Sequence, residues 1–263
     1  MRILLTNDDG IDAPGINILA DVLKENGHEI IMVAPDQEQS ATSHSITLHQ
    51  PLRIWERDKN RYAVTGSPAD CVILAEKVIL KHPIDLVISG INGGQNMGED
   101  VLYSGTVAAA LEAMFLGFKS ISLSLASKVD QKFETAAFFM TKILQNGIHE
   151  LIGEKEVFNI NVPNVEISEI KGFKITRTGH RKYQDFVKEQ KDPRGKKIYW
   201  IGGAVPLWSK IGNTDFKAIS KKYISITPIY PNFTKKESFD KIKKWIDKFS
   251  HEGHEEALSR VHP

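Results

Sequence analysis

An α/β fold, with a mostly parallel central sheet flanked by helices, is what the sequence predicts, and three observations predict it. Short apolar runs such as Ile3-Leu4-Leu5 and Leu86-Val87-Ile88 are continuous rather than alternating, as buried parallel strands require. Stretches with helical spacing stand between them, which is the βαβ order. Polar or glycine-rich segments follow the runs directly, at the carboxyl ends of strands, where open α/β sheets collect ligands.

The 263 residues, 41% hydrophobic and 25% charged, suit one large domain with an appendage. We expect a catalytic core over 1–170 and an oligomerisation region over 171–263. A net charge of +1 gives no general electrostatic grip on nucleic acid or on a membrane surface, although a small anion can still be bound. The single cysteine, Cys71, precludes an intramolecular disulfide. Neither a signal peptide nor a bilayer-length apolar run is present, so the expected address is the cytoplasm.

Arg2 to Thr6 reads as the first strand. Pro14 to Asn26 follows as a helix with Ile16, Leu19, Val22 and Leu23 on one face, opened by Pro14 and closed by Gly27. Glu29 to Ala34 is the second strand, and the crossover between them should be right-handed. Between the first strand and the helix stands Asn7-Asp8-Asp9-Gly10. At about 4 Å, two like charges repel by about 1 kcal/mol in water and about 4 kcal/mol at an effective dielectric of 20, so a half-buried pair calls for a cation or a shared proton. Both acids can face one ion only where the chain has left the strand, a turn that Gly10 permits. Taken alone, the four residues fit equally well a helix cap beside a solvated acid.

Pro35 to Ser45 is a polar loop at the end of the second strand, bringing Ser40, Ser43, His44 and Ser45 toward the Asp8-Asp9 rim. Ile46 to Thr65 predicts an antiparallel excursion turning at Asp58-Lys59-Asn60. Ser67 and Pro68 then open a helix as N-cap and first helical residue. Asp85 to Ser89 is a third buried strand, followed by four glycines in the nine residues Gly90 to Gly98. These glycines allow close approach of backbone to a ligand, while Asn92 and Asn96 offer neutral oxygens that suit a hard cation. Neither the dinucleotide fingerprint nor a Walker-type loop is present.

Ser104-Gly105-Thr106 opens a strong helix from Val107 to Met114. Ser104 or Thr106 caps it, and the same hydroxyls and free N–H groups form an anion site at its positive end. Ser120 to Leu125 is a strand, Gln131 to Asn146 a helix ended by Gly147, and Phe158 to Val162 another strand. Lys171 to Asn213 lacks a helical period and predicts an extended arm of hairpins reaching away from the sheet. Its Trp200, Ile201, Val205, Leu207 and Trp208 would expose an apolar patch that fits a subunit interface, unless the arm folds back on its own domain. Tyr223 to Thr227 is a late strand and Glu237 to Phe249 an amphipathic helix with a solvated lysine face. The tail with His251 and His254 lacks metal-ligand spacing and should fray.

Three strand-end loops and a helix start therefore converge. They bring together two carboxylates, a hydroxyl and an amide oxygen, a donor set for Mg²⁺, Mn²⁺ or a similar ion and not for structural zinc, beside an anion-binding helix end. Metal plus phosphate cradle points to phosphoryl chemistry, with Asp8 or Asp9 orienting or deprotonating water and His44 as a candidate proton donor to the leaving group. The Asp-x-Asp spacing of an aspartyl-phosphate phosphatase is absent.

The chain resembles the SurE family of stationary-phase survival proteins. The resemblance rests on Ile3 to Gly10 with Ala13-Pro14-Gly15, Val33-Ala34-Pro35-Asp36 with Ser40, Gly66 to Val72, Ser89 to Asn96 and Tyr103 to Ala110. Asp192 to Gly195, Tyr199 to Gly202, Thr214-Asp215 and Ser225 to Pro228 continue it, and the tail after Phe233 does not share it. The resemblance implies a Rossmann-like core with one divalent metal ion per subunit, held by Asp8, Asp9, Ser40 and Asn92. Phosphate would be held by Asn96, Ser104, Gly105 and Thr106, with His44 a possible substrate contact. It further implies homodimers or homotetramers built through the arm and an exchanged C-terminal segment. The implied activity is hydrolysis of nucleoside 5′- and 3′-monophosphates, with some on short polyphosphate. A nucleotide-sensing protein with little turnover could carry the same residues.

Overall fold

The computed structural model describes residues 1–182, 185–203, 207–208 and 212–247. Val205, His251, His254 and the last residues of the expected final helix lie outside the described residues, as do the side chains of Leu207 and Trp208. Two compact units are present, Met1–Tyr230 and Pro231–Pro263.

The first unit is built on a nine-stranded sheet. In chain order, its first half comprises β1 (Arg2–Thr6), α1 (Pro14–Glu25), β2 (Glu29–Pro35), β3 (Ile54–Asp58), β4 (Arg61–Val64), α2 (Pro68–Leu74), β5 (Leu86–Gly93) and α3 (Gly105–Phe115). There follow β6 (Ser120–Leu125), α4 (Phe133–Gln145), β7 (Val157–Val162), β8 (Phe173–Ile175), β9 (Arg181–Lys182), β10 (Asp185–Lys191), β11 (Lys197–Gly203), β12 (Leu207–Trp208), α5 (Asp215–Ser220) and β13 (Ile224–Ile229). The strand order is β3-β4-β2-β1-β5-β6-β7-β13-β8. From β4 to β7 the neighbours are parallel, while β3 and β13 run against their inner partners.

The apolar runs fill both faces of this sheet. Ile3, Leu5, Ile88, Ile121 and Leu123 pack with Leu19 and Leu23 of α1 and with Met140 of α4. Leu4, Val33 and Val87 pack with Cys71 and Val72 of α2 and with Ala109 and Ala113 of α3. Burial on two faces is why the strands read as unbroken apolar runs. Gly15 shows how tight the packing is, since a β-carbon there would lie 2.1 Å from the Ile91 carbonyl oxygen.

Two expectations need correction. Residues 46–53 form no strand, so the excursion is only the β3–β4 hairpin, and β4 returns to pair in parallel with β2. The segment from Lys171 does not at first leave the sheet, because β8 takes up the free edge of β13. An edge strand leaves a row of backbone groups unpaired, and β8 satisfies them. The arm proper is the antiparallel hairpin β10 (Asp185–Lys191) and β11 (Lys197–Gly203), with a two-residue pairing of β9 (Arg181–Lys182) and β12 (Leu207–Trp208). Val187, Tyr199, Trp200 and Ile201 are exposed on it. In the second unit a 3₁₀ turn, Lys236–Ser238, leads into a helix over 239–247. No helix among the described residues is long and apolar enough to cross a membrane.

The sheet topology locates the site. From β1 the chain proceeds to β2 on one side, and β5 lies on the other. The carboxyl ends of β1 and β5 thus flank the point where strand order reverses, the usual ligand position of a doubly wound sheet.

Candidate metal and phosphate site

The turn after β1 is set by its own side chains. Asn7, fully buried, donates from Nδ2 to the Gly10 carbonyl at 2.8 Å and accepts the Gly10 N–H at 3.2 Å. Gly10 takes a φ of +100°, so the chain leaves the strand at once. The two acids then diverge. Asp8 Oδ1 accepts the Thr106 hydroxyl of α3 at 2.5 Å, and Asp9 Oδ2 accepts the Gly93 N–H at the end of β5 at 3.1 Å. The pair therefore spans the switch point, one carboxylate on each wall.

Burial dominates the electrostatics here. Asp8 is 5% exposed, and desolvation pushes its pKa from 3.8 to about 6, with the neighbouring Asp9 charge adding to the rise and the Thr106 hydroxyl opposing it. Burial raises Asp9 as well, against the Gly93 N–H. An acid pair with one member buried, the other half-buried and both pKa values raised is a site that gains from a cation. Among the described residues no group of three His, Cys, Asp or Glu side chains gathers to hold a metal. Any ion at Asp8 and Asp9 would complete its shell with hydroxyl, amide, backbone or water oxygens, which is the preference of a hard divalent cation.

Ser40 and Asn92, the other two expected donors, stand on the loop after β2 and near the end of β5. Ser40 follows β2 in the loop whose Gln39 N–H binds the Asp8 carbonyl at 2.7 Å, and its hydroxyl donates to Glu38 at 2.6 Å. Asn92 donates from Nδ2 to the Gly94 carbonyl at 2.7 Å, which leaves Oδ1 as its acceptor. The residues fit a hard divalent ion.

The helix start closes the other side. Ser104 caps α3, its hydroxyl accepting the Val107 N–H at 3.0 Å. Gly105 lies against Asp8, for a β-carbon there would meet Asp8 Cβ at 2.8 Å and Pro68 Cγ at 3.1 Å. Thr106 is fully buried and its hydroxyl goes to Asp8. Asn96 points inward, donating to the Ser124 hydroxyl at 2.9 Å, while its backbone N–H and carbonyl bind Asn159 and Asn161 of β7 at 2.8 to 3.1 Å. His44 stands further along α3, with Nε2 2.8 Å from Glu112 and its ring stacked on Phe115. Seven residues separate Gly105 from Glu112, about 10 Å of helix rise.

Several residues that hold this site are not among its expected donors. Asn159 and Asn161 anchor Asn96, and two asparagines alternating within an otherwise apolar strand were the available signal. Asp215 accepts the N–H groups of Gly98, Gly179 and Phe216 at 2.8 to 2.9 Å and so fixes the far end of the glycine-rich loop. The hydroxyls of Thr6 and Ser89, register partners on β1 and β5, are buried without a hydrogen-bond partner.

A pH prediction follows from Asp8. Its folded pKa lies above the unfolded value, so its contribution to the metal-free fold is complete below about pH 4 and is lost as pH rises through about 6. Two pKa units correspond to about 3 kcal/mol. Without metal, the melting temperature should therefore carry a component that falls from pH 4 to pH 7. A divalent ion, binding the ionised pair in the folded state only, should reverse it above pH 6. Thermal melts in EDTA and in Mn²⁺ across this range test it, and identical pH profiles would contradict it.

The fold and this cluster define a doubly wound α/β protein with an oxygen-donor site and a helix start at the switch point of its sheet. Residues 3–185 match the model of the family described as Survival protein SurE. Proteins named 5′-nucleotidase SurE are 46% identical in Carboxydothermus hydrogenoformans, over 94% of this chain and 96% of that one, and 42% identical in Xylella fastidiosa, over 95% and 97%. The crystal structure of the SurE protein from Aquifex aeolicus superposes with a TM-score of 0.83 at 40% identity, covering 93% of this chain and 99% of that one. The chain belongs to the SurE family.

Proposed function

We propose that this protein is a metal-dependent phosphomonoesterase that hydrolyses nucleoside 5′- and 3′-monophosphates to nucleoside and phosphate, and that it also accepts short polyphosphate. Nucleotidase activity is what the names of its relatives describe. The observation that carries the reading is the divergence of Asp8 and Asp9 across the switch point, beside the open start of α3.

In this reading Asp8, Asp9, Ser40 and Asn92 hold one divalent ion, Mg²⁺, Mn²⁺ or a similar one. When bound, such an ion supplies charge neutralisation at phosphate and lowers the pKa of water toward neutrality. Asp8 or Asp9 orients the attacking water and accepts its proton. The Thr106 hydroxyl fixes the rotamer of Asp8, so that Thr106 acts through that carboxylate. Ser104 and the N–H groups of Gly105 and Thr106 present the positive end of α3 to the phosphate oxygens, where charge develops in the transition state. Asn96 holds the glycine-rich loop to β7 on the opposite wall. His44 is the candidate substrate contact or proton donor on the rim.

Residues 1–170 form the catalytic core in this reading, and 171–263 the oligomerisation region. The exposed apolar side chains of the β10–β11 hairpin suit a homodimer or homotetramer, with the C-terminal segment exchanged. The near-zero net charge suits a cytoplasmic enzyme acting on small nucleotides and not on nucleic acid or membranes.

A phosphate-release screen with 5′-AMP, 3′-AMP and tripolyphosphate against Mg²⁺, Mn²⁺ and EDTA tests the reading. Release from both nucleotides with metal, and none in EDTA, is expected. Binding of nucleotide without release would identify a sensor instead.

A further inference from the structure

The loop after β6 carries a cation to the site that neither the motifs nor the proposed ligand set includes. Lys128 lies across Gly94. A β-carbon built there would sit 3.2 Å from Lys128 Cε, 3.5 Å from its Cγ and 3.8 Å from the Asn92 amide nitrogen. The lysine stem therefore occupies the space that a side chain at position 94 would fill, with the Asn92 amide bordering the same space. Gly93, whose N–H binds Asp9, is covered in the same way by Gln131, with Nε2 2.3 Å from the corresponding β-carbon position.

The base of Lys128 is fixed. Ser127 Oγ donates to the Val129 carbonyl at 2.7 Å and accepts the Val129 N–H at 3.1 Å, and Gln131 Nε2 donates to the Ser127 carbonyl at 3.1 Å. Asn164 Nδ2 binds the Asp130 carbonyl at 3.0 Å, and its Oδ1 accepts the Lys132 N–H at 2.9 Å. Lys128 makes no salt bridge among the described residues, although Asp9 is close enough for the ammonium charge to pull its carboxyl down against burial. The groups placed near it are the acid Asp9 and the neutral Asn92.

The geometry points to Lys128 as a substrate-binding residue that receives the phosphate dianion at the open side of the Asp9–Asn92 wall. This inference rests on the phosphomonoesterase reading above. Two carboxylates and one divalent ion sum to zero charge, so a phosphate dianion arriving there needs a further cation, and Lys128 stands near Asp9 without a salt bridge among the described residues. The same charge repels the metal. Lys128 therefore favours phosphate and disfavours the free ion, two effects of opposite sign.

Lys128→Met keeps the stem over Gly94 and removes the charge, and Lys128→Arg restores it. Calorimetry on the full-length protein gives the affinity for Mn²⁺ alone and then for inorganic phosphate on the Mn²⁺-loaded protein, and neither measurement needs turnover. In Lys128→Met, phosphate affinity should fall about tenfold, KM for 5′-AMP should rise by a similar factor, and Mn²⁺ affinity should hold or rise about twofold. Lys128→Arg should recover most of the phosphate affinity. Phosphate affinity within twofold of wild type, or a parallel loss of Mn²⁺ and phosphate affinity, overturns the assignment. If the wild-type protein binds Mn²⁺ and phosphate but releases none from any nucleotide, the catalytic reading fails while the role of Lys128 is still decided by the phosphate titration.

Discussion

Asp9→Asn is expected to lower Mn²⁺-supported phosphate release from 5′-AMP by at least about a hundredfold while leaving the protein folded. The substitution is nearly isosteric, and an asparagine Oδ1 can still accept the Gly93 N–H that Asp9 accepts at 3.1 Å. The wall between β1 and β5 is therefore kept. What disappears is one of the two negative charges that make the site attractive to a divalent ion, and with it a candidate proton acceptor. The loss should appear at saturating Mn²⁺ as well as in Mn²⁺ affinity. Calorimetric titration separates the two, and circular dichroism with a thermal melt confirms the fold. A near-native rate at saturating metal would remove Asp9 from the mechanism.

The second large effect is expected at Gly105→Ala. At the first turn of an exposed helix, alanine would normally stabilise by up to about 1 kcal/mol relative to glycine. Here the added β-carbon would stand 2.8 Å from Asp8 Cβ, 3.0 Å from Asp8 Oδ2 and 3.1 Å from Pro68 Cγ. None of the three is the loose end of a flexible chain. Asp8 is held by Thr106, and Pro68 belongs to the start of α2, whose capping box of Ser67 and Asp70 fixes it. Overpacking of this kind costs about 1–3 kcal/mol. The cheapest relief is a shift of Asp8 away from α3, which breaks the Thr106 hydrogen bond. Mn²⁺ affinity should therefore fall at least about tenfold, together with a lower melting temperature. An alanine variant that binds Mn²⁺ and melts like the wild type would show that Gly105 does not set the Asp8 position.

Comparing the two positions shows what was legible in the chain. Gly105 reads from the sequence as part of the anion-binding helix start, and its close approach to Asp8 emerges only when α3 is placed against the turn after β1. Asp8 and Asp9 by themselves were equally well explained as a cap and a solvated acid. The family resemblance places Thr106 at the phosphate, and the structure adds that its hydroxyl donates to Asp8, 98 residues away. Asn96 belongs to the same expected cradle, and its amide donates to Ser124. Lys128 carried no motif at all.

The local elements were legible because their causes are local. Apolar runs buried on both faces, Pro14 and Pro68 at helix starts, Ser67 and Ser104 as caps, and Gly27 and Gly147 at helix ends act within a few residues of themselves. Residues 171–175 were misread because an edge strand draws its partner from wherever the sheet ends, and no nearby residue announces that β13 needs one. The site lies at the same level. By itself the sequence determined which oxygen donors stand at the ends of strands. Only the tertiary structure decided that β1 and β5 are neighbours at the reversal of strand order. That placement divides the two acids between opposite walls, turns Asn96 onto β7 and lays Lys128 over Gly94. Strand order is chosen by burial summed over the whole sheet, and each of these contacts joins residues 34 to 98 apart, beyond the reach of any local pattern.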